Sequence, residues 1–169
     1  MRLRCSSRQL YVRLTTLLSL ILAIPGWASD PPVLLSLYTD NLGVVSPSGR
    51  RLYAVVTKDG VMTYADKSDD GIVERSRTLT SVELAKLREV LAGSALTALR
   101  GSVTAGQFHP RDYQTSLEVM ISRDPRSQEF TLVDYDPSGG RDFPAAARDL
   151  LCLVDRLRGS KYRLSQNCK

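Results

Sequence analysis

Leu52-Tyr-Ala-Val-Val-Thr-Lys-Asp-Gly-Val-Met-Thr-Tyr-Ala65 is the stretch that decides the fold. Leu52, Ala54 and Val56 alternate with Tyr53, Val55 and Thr57. After Lys58-Asp-Gly60 comes a second run, Val61 to Ala65. Asp-Gly between two alternating runs signals a hairpin, because glycine takes a positive φ without a Cβ clash. To the N-terminal side, Val33 to Tyr38 is short, apolar and strand-like, and Ser46-Pro-Ser-Gly49 reads as a turn. To the C-terminal side, the polar loop Asp66–Gly71 leads into another run, Ile72 to Thr78.

The pattern then changes period. Thr80-Ser-Val-Glu83 fits a capping box, in which the threonine hydroxyl and the glutamate carboxylate satisfy each other's backbone amides. Leu79 and Leu84 sit where a hydrophobic staple closes a helix start, Leu84, Leu87 and Leu91 follow at helical spacing, and Gly93 is a stop. Ser94 to Arg100 is ambiguous and reads as a short helical turn. Gly101 to Asp112 shows no periodicity and reads as a long loop. Leu117, Val119 and Ile121 restore strand alternation. A turn around Asp124-Pro-Arg-Ser127 leads into Phe130–Val133. Pro144 opens a second helix whose Ala147, Leu150, Leu151, Val154 and Leu157 share a face. This order predicts an α+β domain: an antiparallel sheet of about five strands with two packed helices, in the order βββ-α-ββ-α.

The N-terminus has its own logic. Arg2, Arg4, Arg8 and Arg13 precede the apolar run Leu14–Ile24, then Pro25-Gly26 and the small residue Ala28. Positive charge, short apolar core, breaker and small residues make a secretory signal peptide over residues 1–28, with cleavage between Ala28 and Ser29. A run of about 11 residues falls short of the roughly 20 a bilayer span needs, so no stable membrane span is expected after cleavage. The segment carries four of the 23 Lys+Arg and none of the 18 Asp+Glu. The net charge of +5 therefore drops to +1, and the case for a nucleic-acid partner goes with it. Periplasmic or secreted localisation follows, with a single domain over 29–158 and a C-terminal tail over 159–169.

Cys5 lies ahead of the apolar run, which leaves Cys152 and Cys168 for an oxidising compartment, where a disulfide is their simplest state. A closed loop of that length stabilises by roughly 3 kcal/mol on the chain-entropy account. On an ideal helix Cys152 points away from the apolar face, so the bridge would draw the tail over the helix's outer side.

Chemistry is thin. His109 is the sole histidine; with Asp112 it forms the weakest outline of a hydrolase site, without a nucleophile elbow. Asp66, Ser68 and Asp70 occupy positions one, three and five of a calcium-type loop with Gly71 at six, but position twelve is Arg77, where a bidentate glutamate belongs. No cofactor motif is present. If the loop binds a partner, Gln107, Phe108, His109 and Arg111 present it.

Asp59-Gly60 followed by Arg77-Thr-Leu-Thr-Ser-Val-Glu-Leu84 and a leucine-spaced helix, then a later hairpin and a leucine-rich final helix, resembles small bacterial domains of the emfourin type. The resemblance covers about Val33 to Leu157 and implies inhibition of thermolysin-like metalloproteases. The signal peptide, the cysteine pair and the tail depart from that pattern. The expectation is an exported, non-enzymatic binding or interaction module for a protein or envelope component, with a protease inhibitor as its sharpest form. A small hydrolase using His109 and an envelope structural protein are the alternatives.

Overall fold

The computed structural model describes residues 32–42, 50–69, 71–105, 114–134, 143–160 and 168. Among them are seven strands: β1 (Val33–Leu42), β2 (Arg51–Thr57), β3 (Val61–Ser68), β4 (Gly71–Thr78), β5 (Gly101–Ala105), β6 (Gln114–Arg123) and β7 (Arg126–Asp134). Three helices accompany them: α1 (Ser81–Ala92), α2 (Ser94–Thr97) and α3 (Ala145–Arg158). The strands form one sheet in the order β4-β3-β2-β1-β6-β7-β5. Every pairing is antiparallel except β5 with β7, which is parallel.

This overturns the expected five-strand antiparallel sheet with two helices. The order is ββββ-αα-βββ-α and the sheet is mixed. The parallel strand has a topological cause. The chain leaves β4 at one edge and re-enters as β5 at the other, with α1 and α2 between them. Six strand spacings of about 4.8 Å separate those edges, and α1 alone advances the chain about 18 Å along its axis. Gly101–Ala105, expected to begin a loop, becomes a strand because β7 offers it a free edge; its own polar sequence carries little strand signal.

The hairpin at Lys58-Asp59 forms as the sequence predicts. Gly60 adopts φ +93° and its amide donates to the Thr57 carbonyl at 3.0 Å. The capping box of α1 is complete: the Glu83 amide donates to Thr80 Oγ1 at 3.2 Å, and the Thr80 amide donates to Glu83 Oε2 at 2.8 Å. Gly93 ends that helix. Pro144 stands at the N-cap of α3, and Gly159, at φ +62°, closes its far end in the left-handed conformation that glycine favours.

One face of the sheet carries the core. Leu35, Leu37, Ala54, Val56, Met62, Leu117, Val119, Ile121, Phe130 and Leu132 join Leu87 and Leu91 of α1, Leu96 of α2 and Ala147, Leu150, Leu151, Val154 and Leu157 of α3 in one buried cluster. Two register shifts lie between β1 and β2. At the second, Leu37 pairs with Ala54 and Tyr38 with Leu52, so Tyr53 is the extra residue of a bulge. A bulge re-aims a side chain: Tyr53 and Ala54, neighbours in sequence, are both fully buried.

Cys152 and Cys168 are joined, with their Cα atoms 5.3 Å apart, inside the usual span for a disulfide. Cys152 is 8% exposed. From Leu150 to Asp155 every residue of α3 is buried, and Cys152 lines a groove with Lys86 and Val90 of α1.

Candidate functional site

The described residues offer three places where polar side chains gather. The first is a buried cluster between sheet and helix. The Tyr53 hydroxyl donates to Asp155 Oδ1, and Arg158 reaches the same carboxylate oxygen at 3.3 Å while also donating to the Ala65 carbonyl. The Arg158 guanidinium lies 3.9 Å from the Tyr53 ring centroid. Tyr53, Asp155 and Arg158 are 0%, 1% and 2% exposed. Groups so enclosed cannot meet a substrate; their work is to fasten the last turn of α3 to β2 and β3.

One step outward, the Ser160 hydroxyl donates to Asp66 Oδ1, and Arg75 Nε pairs with Asp66 Oδ2 at 2.8 Å. The hydrogen bond from Ser160, with further help from the Lys67 amide and Arg75, holds the Asp66 carboxyl below its ordinary pKa. Asp66, the first position of the calcium-type loop outline, is thus engaged by the residue after the helix end and by the edge strand. Ser68 closes β3, and Asp70 lies outside the described residues. Among the described residues no group of three or more His, Cys, Asp or Glu side chains converges as a metal site would require.

The second place is the sheet face opposite the core, which no described helix covers. Ser36, Met120, Glu118, Glu129, Thr131 and Ser102 line an open depression of about 560 Å³, with Arg50 at its rim. Arg50 Nε pairs with Glu118 at 2.8 Å, and its guanidinium stacks 3.8 Å from the Tyr38 centroid. Polar residues line this face because an antiparallel sheet packed on one side presents alternate residues to water on the other. Sequence reasoning missed it: the alternation of Ser36, Tyr38 and Asp40 with Leu35 and Leu37 was the available signal.

The third is β4 itself, which among the described strands pairs only with β3 and is exposed along its length except at half-buried Arg77. His109 and Asp112, and the expected binding loop of Gln107, Phe108, His109 and Arg111, lie outside the described residues, as does residues 1–28. Among the described residues no helix is long and apolar enough to cross a membrane. No protein-family model matches the chain, and no curated protein matches it in sequence.

Proposed function

We infer that the chain is an exported, non-enzymatic binding module that takes a protein or envelope partner on the open side of its sheet. The observation that carries this reading is the depression over Ser36, Glu118, Glu129 and Thr131. A sheet with one packed face and a depression of mixed polar and apolar lining on the other has surface for recognition, while its most buried charged groups join helix to sheet. The hydroxyls, carboxylates and guanidinium on that face suit a polar, hydrogen-bonding partner. Inhibition of thermolysin-like proteases is the narrower form of the same proposal.

The test is capture from a cell-envelope fraction by the purified protein and by its Glu118→Arg variant. A partner retained by the first and lost by the second is expected. A partner retained equally by both, or capture of nothing, would overturn the open-face reading. Full activity of a thermolysin-like protease in micromolar excess of the protein would remove the inhibitor form alone.

A further inference from the structure

An eight-residue edge strand normally carries protection: a proline, a bulge, or charges that meet an incoming strand. β4 has no proline, and its register with β3 runs unbroken from Val61↔Thr78 to Ser68↔Gly71. Its two arginines are each paired with a carboxylate of this chain, Arg75 through Nε with Asp66 and Arg77 through Nη2 with Glu83. Ile72 and Val73 are 53% and 37% exposed, two of the four exposed large apolar residues among those described. In an antiparallel ladder alternate residues turn both N–H and C=O away from the existing partner, so β4 presents a row of backbone groups that no described strand pairs with.

A second copy of the chain fits this edge badly. A two-fold pairing that extends the sheet sets like face against like face, so its register must centre on a residue. The two longest such registers place Glu74 opposite Glu74 or Arg75 opposite Arg75, and like charges directly opposed destabilise a ladder.

We propose that β4 accepts an extended peptide strand from another protein, antiparallel to it. That strand sets carboxylates opposite Arg77 and Arg75, a cation opposite Glu74 and apolar side chains opposite Val73 and Ile72. The geometry supplies each partner. A guanidinium has five donors; Arg75 engages Asp66 by Nε and Arg77 engages Glu83 by Nη2, which leaves donors on both for a second carboxylate. Glu74, on the opposite face, has no ion pair among the described residues. Backbone pairing supplies affinity, and the alternating side chains supply selectivity, as in strand addition generally. The inference rests on the reading of the chain as a binding module but not on the open-face depression.

The probe is a fluorescein-labelled peptide of sequence GSETEKVVSG, titrated against the purified protein, with the charge-reversed GSKTKEVVSG beside it. The first is expected to bind at least tenfold more tightly, and the β4 amides to gain protection from hydrogen exchange when it is bound. The Glu74→Lys variant loses no described ion pair; it should prefer GSETEEVVSG over GSETEKVVSG, a reversal that a folding defect would not produce. Equal binding of the two starting peptides, no binding of either, or no reversal in the variant would overturn the proposal. If the peptides fail while an envelope partner is still captured and is lost with Glu118→Arg, only the β4 inference falls. Failure of both experiments removes the binding-module reading as well.

Discussion

The Tyr53 hydroxyl donates its hydrogen bond to the Asp155 carboxylate, joining a strand bulge to the last turn of α3 across 102 positions of sequence. Both side chains are buried, so removing either partner exposes the other to a desolvation penalty. Tyr53→Phe is expected to cost about 1–3 kcal/mol. Asp155→Ala removes a buried counter-charge from Arg158, and about 3–5 kcal/mol is expected. Urea unfolding of both variants checks the order. Equal losses would mean that the carboxylate's role is limited to accepting from Tyr53.

Glu83 is tuned for the start of α1. The hydrogen bond from Arg77, then that from the Thr80 amide, hold its carboxyl below the ordinary value. A depressed folded pKa stabilises above the ordinary glutamate pKa of about 4.3, and the contribution disappears as pH falls through the lower folded value. Glu83→Gln should therefore cost about 0.5–1 kcal/mol near neutrality. Melting curves taken between about pH 6 and about pH 3 should show the variant and the parent converging on the acid side. A gap that widens on acidification would contradict the sign.

Gly60 and Gly101 share a positive φ, at +93° and +60°. They differ in surroundings. A Cβ on Gly60 would meet Leu84 Cδ2 at 3.1 Å, whereas one on Gly101 has nothing within 4 Å. Gly60→Ala combines backbone strain of about 1–3 kcal/mol with that contact; Gly101→Ala carries strain alone. The expected result is a lower denaturation midpoint for Gly60→Ala than for Gly101→Ala. The reverse order would mean that Leu84 yields freely.

The Cys152–Cys168 bridge closes a loop with a sequence separation of 16. Replacing both cysteines by serine should lower stability by about 3 kcal/mol. Thiol titration of the denatured, unreduced protein should find neither cysteine free. Two titrating thiols from this pair would show that the bridge does not form.

The local elements were legible wherever a short-range rule applied. The Asp59-Gly60 turn, the Thr80/Glu83 box and the apolar face of α3 each involve residues within a few positions of one another. The strand count and the parallel pairing were not legible. β5 is GSVTA, a sequence with little strand character, and it is a strand only because β7 runs beside it. The buried charges escaped notice for a related reason. Asp155 and Arg158 sit three apart on a helix, a spacing usually found on solvated surfaces, and their buried partners, the Tyr53 hydroxyl turned inward by the bulge and the Ala65 carbonyl, come from distant strands. The signal was two charges falling within a stripe that includes Leu151 and Val154.

The place of β1 in the sheet bears on how the molecule assembles. β2, β3 and β4 follow it through neighbouring pairings, so half of the sheet can form from contiguous chain. The other side of β1 waits for β6, and the pair Leu42↔Gln114 closes a loop of about seventy residues. Such distant pairings set the pace of folding because loop closure precedes the contacts that reward it. During synthesis and refolding, then, the strand that ends at the centre of the sheet is for a time its unprotected margin, and the kinetic hazard of misassembly lies at β1 rather than at the permanent edge.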